Sequence, residues 1–307
     1  MRIIFAGTPE VAVPSLQALV AAGHEVCGVI TREDAPFGRK RVLTPSPIAA
    51  AAAELDLPVF KANRLDGEAV AWAESLQPEL GVVVAFGGLL RENMLVAPRL
   101  GWVNLHFSSL PRWRGAAPVQ RALMAGESRL GVSVFRLVHE LDAGDIVVLQ
   151  EYDFVQGTSA GQVLADLAEK GTEPVLQAVD ILTENPDAGT PQTGETSYAH
   201  KLERADGRLD FSLPAEQVLA HWAGVTPEPG AFVMFDEQSL KIHDLQLPES
   251  SVNTPVLEAG QAVLQGGAAF VGTGSANLQL LTVQPAGKPR MAAADWLRGR
   301  GGEAVLA

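Results

Sequence analysis

The segment Gly81-Val82-Val83-Val84-Ala85-Phe86 is apolar throughout, and valine predominates in it. A strand that is apolar on both faces belongs inside a parallel sheet, because helices cover both sides of such a sheet. Similar short runs occur before and after it, at Arg2–Gly7, His24–Ile30, Leu57–Phe60, Trp102–His106 and Gly131–Val138. We therefore expect Gly81–Phe86 to be an inner strand of a sheet that these runs complete.

Segments of helical length separate several of these runs: Pro9–Ala22, Ser46–Leu55, Gly115–Gly126 and Ser159–Thr183. In the last of them, apolar residues recur at the three- and four-residue spacing of one helix face. Strands that alternate with helices along a chain form a mostly parallel, doubly wound sheet. The first part of the chain is therefore expected to be an α/β domain.

The composition changes at Asn185. Residues 185–207 are rich in Pro, Gly, Thr and Glu, which is typical of an exposed connection. Short β-like runs then follow one another at Ala231–Phe235, Ser239–Leu245, Ala262–Leu264, Ala268–Gly272 and Leu278–Val283. Short strands at this spacing fit a small barrel or sandwich. We expect a first domain over residues 1–184, a linker over 185–207 and a second domain over 208–307.

The bulk composition limits the classes of protein to consider. Of the 307 residues 47% are apolar, yet no stretch approaches the roughly 20 consecutive apolar residues that cross a bilayer. The single cysteine, Cys27, cannot form an internal disulfide, and Met1–Gly7 enters a strand rather than a signal peptide. We therefore expect a cytoplasmic protein. The net charge of -13 argues against a protein that coats nucleic acid, although a local basic cluster occurs at Arg39-Lys40-Arg41.

Two polar residues stand at the end of the run Trp102–His106. In an open parallel sheet, groups that act on ligands collect at the carboxyl ends of strands. The spacing of two residues directs the side chains of Asn104 and His106 to the same side of the strand. An amide and an imidazole together can stabilise a developing oxyanion, and an imidazole can also move a proton. The simpler alternative is a structural histidine at a strand end.

Two further segments carry polar residues. The run Ser108–Arg121 is dense in Pro, Arg and Gly, so it can line a flat heterocycle or meet an anion. The segment Glu140–Ile146 contains Asp142, Gly144 and Asp145 between two strand-like runs. An acid at this place can orient an imidazole, while the alternative is an ordinary turn, since Asp and Gly favour turns.

At these positions the sequence resembles the folate-dependent formyltransferases. Asn104-x-His106, the run Ser109–Pro118 and Leu141-Asp142-x-Gly144-Asp145 occur in that family's order and spacing. The opening Arg2–Pro9 and the late Gln284–Lys288 are similar to the branch of the family that formylates methionine on tRNA. The resemblance extends from residue 2 to about residue 298.

The resemblance implies a fold and an activity. The fold is a Rossmann-like formyltransferase domain with a mostly parallel sheet, joined to a small C-terminal β-barrel that is OB-like and contacts tRNA. The activity is transfer of a formyl group from 10-formyltetrahydrofolate to the amino group of methionine on initiator methionyl-tRNA, without a metal. We expect a monomer that has no contact with a membrane.

The resemblance also implies three sets of functional residues at matching positions. The catalytic residues are Asn104, His106 and Asp142. The residues expected to contact the folate are Ser108, Ser109, Leu110, Pro111 and, around the pterin, Val84, Phe86 and Gly87. The residues expected to contact tRNA are Arg39, Lys40 and Arg41. For this last set the alternative is a mobile surface loop.

Three positions depart from the family's pattern. Phe107 stands where a small residue is usual, Ser109 where Leu is usual, and Glu228 where Trp is usual. The first two lie beside the expected folate contacts and bear on folate packing. The third lies in the C-terminal domain and bears on the contact with tRNA.

A mechanism can be written on these residues. The nucleophile is the amine of the substrate, so positioning, oxyanion stabilisation and proton transfer remain for the protein. We expect Asn104 and His106 to donate hydrogen bonds to the formyl oxygen. Asp142 is expected to support a charged His106 and to help proton transfer, because a carboxylate favours a neighbouring imidazolium.

Other classes of function fit the sequence less well. A nicotinamide-dependent oxidoreductase is disfavoured, because no G-x-G-x-x-G follows the first strand. A metallohydrolase is disfavoured because the six histidines are scattered. An RNA-binding module would be basic and would leave the polar trio unused. A formyltetrahydrofolate hydrolase and a formyltransferase for a sugar or a purine precursor remain open, since they can share the trio.

Overall fold

The computed structural model describes residues 1–38, 40–249 and 254–307, which divide into two units by packing. The first unit comprises Met1–Gly115, Leu130–Tyr152 and Leu164–Tyr198, and the second comprises Ala116–Arg129, Asp153–Val163 and Ala199–Ala307. The units therefore interleave along the chain. We continue to propose two domains that are each continuous in sequence, over residues 1–184 and 208–307, with a linker over 185–207.

The elements up to residue 199 are short and alternate between strand and helix. The strands are β1 (Arg2–Gly7), β2 (Glu25–Thr31), β3 (Ala35–Phe37), β4 (Val42–Thr44), β5 (Val59–Lys61), β6 (Leu80–Val84), β7 (Trp102–His106), β8 (Arg114–Gly115), β9 (Arg129–Arg136), β10 (Ile146–Asp153) and β11 (Tyr198–Ala199). The helices are α1 (Val13–Ala21), α2 (Pro47–Glu54), α3 (Gly67–Ser75), α4 (Glu92–Leu95), α5 (Pro118–Met124), α6 (Ala160–Lys170) and α7 (Thr172–Glu184).

The main sheet has the strand order β10-β9-β7-β6-β1-β2-β5. β5, β2, β1, β6 and β7 run parallel, and β9 is antiparallel to β7. Every residue of β6 is buried, as expected for an inner strand. The mostly parallel α/β sheet is thereby confirmed. The strand order reverses between β1 and β6, and open α/β sheets bind ligands at the carboxyl ends beside such a reversal.

Local sequence signals explain where two of the helices begin. The hydroxyl of Ser46 accepts a hydrogen bond from the backbone N–H of Ala49 at 3.0 Å, and Pro47 occupies the first position of α2. The carboxylate of Asp66 accepts from the N–H groups of Glu68 and Ala69 at the start of α3. Such caps satisfy N–H groups that have no partner within the helix.

The prediction of a single helix over Ser159–Thr183 is wrong, because the structure has two helices, α6 and α7, on either side of Gly171. A Cβ atom on this glycine would lie 2.9 Å from the side chain of Leu105 and 2.9 Å from the carbonyl oxygen of Leu167. The close approach to β7 therefore requires a residue without a side chain at the junction.

The elements after residue 199 form the greater part of the second unit. They are α8 (Ala215–Val225), β12 (Phe232–Phe235), β13 (Gln238–Gln246), β14 (Gln261–Gln265), β15 (Ala268–Gly272), β16 (Asn277–Pro285), β17 (Met291–Ala292), α9 (Ala293–Arg298) and β18 (Glu303–Val305). The strand order is β12-β13-β16-β15-β14-β18, with antiparallel neighbours. Trp222 of α8 and Trp296 of α9 pack with the buried faces of these strands in one core. This barrel-like sheet confirms the small C-terminal β-barrel.

Candidate active site

Asn104 and His106 lie on one face of β7, near its carboxyl end. In the pairing of β7 with β9, Asn104 is opposite Phe135 and His106 is opposite Ser133. On the other side of β7, Asn104 is level with Val83 of β6. Since side chains alternate along a strand, the polar pair shares its face with the side chains of Phe135 and Ser133. The strand-end pair expected from the sequence is thus assembled by ordinary sheet register.

His106 is almost fully buried, with 6% of its surface exposed. Its Nε2 lies 2.9 Å from the carbonyl oxygen of Trp113, and its ring meets that of Phe135 edge-on. Because a carbonyl oxygen can only accept a hydrogen bond, Nε2 must carry the proton. The other nitrogen, Nδ1, lies 3.9 Å from Oδ2 of Asp142, where the carboxylate acts through its charge rather than through a direct hydrogen bond.

The charge state of His106 follows from these surroundings. Burial is the largest influence and lowers the pKa of His106, while the carboxylate of Asp142 and the carbonyl of Trp113 act to raise it. The net shift is downward from the ordinary value of 6.5, so the neutral imidazole predominates at neutral pH. This differs from the expectation of a charged His106. With Nε2–H donated to Trp113, the lone pair on Nδ1 is available to accept a proton.

The carboxamide of Asn104 is half-buried and makes no hydrogen bond to any group in the described part of the chain. A carboxamide has two donors and an acceptor that ordinarily find partners. Asn104 therefore has its full hydrogen-bonding capacity available to a ligand. An N–H donor held on a rigid strand is suited to stabilising a developing oxyanion.

Asp142 lies in the turn between β9 and β10, with its backbone in the left-handed region at φ 48. Its Oδ2 accepts a hydrogen bond from the backbone N–H of Gly115 at 2.7 Å, which holds the carboxylate toward His106. A Cβ atom on Gly144 would lie 1.8 Å from the carbonyl oxygen of Arg136. The turn is therefore tight enough to require glycine at this position, and it brings Asp142 to the strand end.

A second group of contacts fixes the loop that carries the Trp113 carbonyl. The hydroxyl of Ser133 donates to the carbonyl oxygen of Ser108 at 2.7 Å and accepts from the N–H of Leu110 at 3.1 Å. The hydroxyl of Ser108 donates to the carbonyl oxygen of Arg112 at 2.7 Å. Since Ser133 is fully buried on the face of His106, these contacts fix the loop against the strand that carries the imidazole.

The structure places the four expected folate residues, Ser108–Pro111, in this same loop. Ser108, Leu110 and Pro111 are buried, whereas the hydroxyl of Ser109 donates to Oε1 of Glu151 at 2.9 Å. Ser109 and Pro111 line a cleft of about 330 Å³ whose other wall includes Thr193 and Glu195. A cleft of this size is within the range of small-molecule sites.

The expected pterin residues lie at the carboxyl end of β6, beside the reversal of strand order. The side chains of Val84 and Phe86 are buried in the core, and Gly87 is exposed. The carbonyl oxygen of Phe86 accepts from the hydroxyl of Thr8 at 2.8 Å, and that of Gly87 accepts from Nη1 of Arg32 at 2.6 Å. The side chains of Val84 and Phe86 therefore support the sheet, and the backbone at Phe86 and Gly87 is fixed by Thr8 and Arg32.

Two of the expected tRNA contacts, Lys40 and Arg41, belong to the hairpin formed by β3 and β4. Lys40 and Arg41 are exposed in its turn, whereas Arg39 lies outside the described residues. Phe37 is 75% exposed on the same hairpin. Within the described residues, neither Lys40 nor Arg41 forms a hydrogen bond or an ion pair with Asn104, His106 or Asp142.

Sequence reasoning missed Gln192, which lies in the segment expected to be an exposed linker. Its amide nitrogen donates to the carbonyl oxygens of Asp142 and Gly144, at 2.8 and 2.9 Å. A glutamine between Pro and Thr carries no motif, and its partners are separated from it by about 50 residues. Only the folded chain shows the contact.

No group of three or more His, Cys, Asp or Glu side chains in the described residues is placed to hold a metal ion. Among the same residues, no helix has both the length and the apolar character that crossing a bilayer requires.

Both parts of the chain match models of one protein family. A family model described as formyl transferase matches residues 1–179, and one described as formyl transferase, C-terminal domain, matches residues 201–301. A protein of Leifsonia xyli subsp. xyli named methionyl-tRNA formyltransferase is 54% identical over 306 residues, covering 100% of both chains. One of the same name from Clavibacter michiganensis subsp. michiganensis is 50% identical, covering 97% of both.

A solved structure shares the fold at low sequence identity. It is that of WlaRD, a sugar 3N-formyl transferase, in the presence of dTDP and 5-N-formyl-THF. The TM-score is 0.67 at 16% identity, and the match covers 94% of this chain and 99% of the other. At this identity the likeness concerns the fold alone.

Proposed function

The chain belongs to the formyl transferase family, and from that premise we propose that it transfers a formyl group from 10-formyltetrahydrofolate to the amino group of methionine on initiator tRNA. The observation that carries the proposal is the arrangement at the end of β7. There, the carboxamide of Asn104 and Nδ1 of His106, which make no hydrogen bond within the described residues, share one strand face, and Oδ2 of Asp142 lies 3.9 Å from that Nδ1. The high sequence identity to relatives named methionyl-tRNA formyltransferase supports methionyl-tRNA as the acceptor of the formyl group.

The arrangement supplies what attack of an amine on a formyl group needs. As the amine nitrogen bonds to the formyl carbon, negative charge develops on the formyl oxygen, and Asn104 donates a hydrogen bond to that oxygen. A preorganised donor of this kind is worth about 10²–10³ in rate. No nucleophilic side chain is required, because the acceptor itself is the nucleophile.

His106 moves the proton. Its Nδ1 accepts the proton that the attacking amine must lose, and the charge that forms on the imidazole is stabilised by Asp142 at 3.9 Å. Nδ1 then returns the proton to the folate nitrogen as the bond from that nitrogen to the formyl carbon breaks. The products are the formamide and tetrahydrofolate, so atoms and charge balance without a further reagent.

The folate is held by the carboxyl edge of the sheet and by the loop Ser108–Pro111. The pterin is proposed to lie against the backbone of Phe86 and Gly87, whose carbonyl oxygens are held in place by Thr8 and Arg32. The cleft beside Ser109 and Pro111 offers the adjoining space. Folate supplies the activated formyl group, and the residues of this chain orient it against the amine.

The tRNA meets the hairpin of β3 and β4. Lys40 and Arg41 are exposed there, and the side chain of Phe37 is available for stacking on a base. Arg39 is proposed to belong to the same contact. A local cationic turn reconciles tRNA binding with a chain whose net charge is -13. We place the reaction in the cytoplasm and expect a monomer to perform it.

The test is an acceptor comparison with the purified chain. Labelled 10-formyltetrahydrofolate is supplied with methionyl initiator tRNA, with uncharged tRNA, or with an amino sugar linked to dTDP, and each product is separated. Label on the methionine amino group alone supports the proposal. Label on the sugar, or free labelled formate without any acceptor, indicates a sugar formyltransferase or a hydrolase instead. An Asp142→Asn variant, assayed in parallel, must lose most of the transfer.

A further inference from the structure

The segment Gln192–Ser197, called here the strap, lies in the region expected to be only a linker. It contacts both supports of His106. At one end Gln192 reaches the turn of Asp142, and at the other Ser197 accepts a hydrogen bond from the N–H of Trp113 at 2.9 Å through its hydroxyl. The carbonyl oxygen of Ser197 also accepts from the N–H of Arg114 at 2.9 Å. The strap is therefore attached to the residues on either side of the imidazole.

The side-chain amide of Gln192 is used completely. Its nitrogen donates to the carbonyl oxygens of Asp142 and Gly144, which occupies both amide protons. Its oxygen accepts from Nη2 of Arg114 at 2.7 Å and from Nε at 3.2 Å. The guanidinium can only donate and the two carbonyls can only accept, so the orientation of the amide is unambiguous.

Arg114 anchors the other side of this contact. Only 8% of its surface is exposed, and its Nη1 lies 3.2 Å from Oε1 of Glu140. Gln192 thus connects a buried guanidinium to the backbone of the turn that carries the catalytic carboxylate. The N–H of Gly115 holds the carboxylate of Asp142, and Gln192 holds its backbone.

The turn needs such support because its conformation is unfavourable by itself. Asp142 has φ 48, in the left-handed region, which Asp adopts more readily than most residues but less readily than glycine. Freed from Gln192, the turn can relax and carry the carboxylate away from the imidazole. The interaction of the two groups weakens as the separation grows beyond 3.9 Å.

We propose that Gln192 is a positioning residue for formyl transfer, which holds Asp142 against Nδ1 of His106 by clamping the carbonyls of Asp142 and Gly144 to Arg114. This inference rests on the proposed function. Gln192 touches no reacting atom and acts only through Asp142. A glutamine is required because the position must donate twice and accept toward a guanidinium.

The test compares Gln192→Ala and Gln192→Glu with Gln17→Ala, a matched change of an exposed glutamine on α1. The Glu variant keeps an oxygen that accepts from Arg114, but it replaces the amide nitrogen by a second oxygen, which cannot donate to the carbonyls of Asp142 and Gly144. It therefore separates the contact with Arg114 from the contact with the turn. We expect kcat for formylation to fall about 10- to 100-fold in both Gln192 variants. The KM for methionyl-tRNA should stay unchanged, and Gln17→Ala should match the wild type.

A second readout is independent of turnover. The pH midpoint of His106, followed by NMR of its ring nitrogens, should fall in Gln192→Ala, because the carboxylate of Asp142 acts to raise the pKa of His106. Gln192→Glu is excluded from this readout, since its new carboxylate also favours a protonated imidazole. Wild-type kcat in Gln192→Glu, or an unchanged midpoint in Gln192→Ala, overturns the inference. If the wild type forms no formylmethionyl-tRNA, the proposed function fails, while the midpoints still decide whether Gln192 positions Asp142.

Discussion

Replacing Asn104 by Ala should slow chemistry far more than it weakens the fold. The carboxamide makes no hydrogen bond within the described part of the chain, so its removal leaves no protein group unsatisfied. The pairing of β7 with β6 and β9 is made by backbone groups and is retained. We expect the free energy of unfolding to change by about 1 kcal/mol or less.

The effect on rate follows from the loss of one donor to the formyl oxygen. Such a donor is worth about 10²–10³ in rate, which corresponds to about 2.7–4 kcal/mol of barrier. Because the interaction forms mainly in the transition state, kcat and kcat/KM for methionyl-tRNA should fall together. The barrier therefore changes several times more than the stability does.

The assay is single-turnover formylation by rapid quench, with enzyme in excess over labelled methionyl-tRNA. Urea unfolding of the same preparation measures stability. Asn93→Ala, the same change at an exposed position of α4, is the control and should retain the wild-type rate. A near-normal single-turnover rate in Asn104→Ala would refute the oxyanion role of Asn104.

Three further predictions concern the site and its surroundings. Asp142→Asn removes the charge that raises the pKa of His106. The maximal rate should fall, and the pH midpoint of His106 should move lower in an NMR titration. A raised midpoint would contradict this prediction. Gly144→Ala places a Cβ 1.8 Å from a carbonyl oxygen of β9 and should lower unfolding stability in urea by about 1–3 kcal/mol, whereas Gly67→Ala, with open space around it, should not. Burial raises the pKa of the Cys27 thiol, so a chromogenic disulfide reagent at pH 8 should label the native protein slowly and the unfolded protein at once.

The strands that could be predicted from the sequence are those whose side chains are mostly buried. Gly81–Phe86 is apolar throughout because β6 is covered on both faces, and its ends were predicted within two residues. β10 is the strand-like run expected after Glu140–Ile146, but its bounds were not predicted, since its residues from Leu149 onward alternate between exposed and half-buried at the edge of the sheet. The hairpin of β3 and β4 was missed because each strand has only three residues, all exposed.

The candidate site shows a similar division. The face shared by Asn104 and His106 follows from the two-residue period of one strand, so sequence was sufficient to place them together. The charge state of His106 did not follow, because it depends on burial and on the carbonyl of Trp113. The contribution of Gln192 depends on backbone carbonyls distant in sequence, for which no residue pattern exists.

The account depends on one claim, that the proton acceptor is Nδ1 of a neutral His106. The direct measurement is a nitrogen-15 NMR titration of the imidazole in the folded protein, with His106→Gln used to assign the signals. We predict a protonated Nε2 and an unprotonated Nδ1 at pH 7, with a midpoint below 6.5. An imidazolium at pH 7, or a neutral ring protonated at Nδ1, would contradict the account.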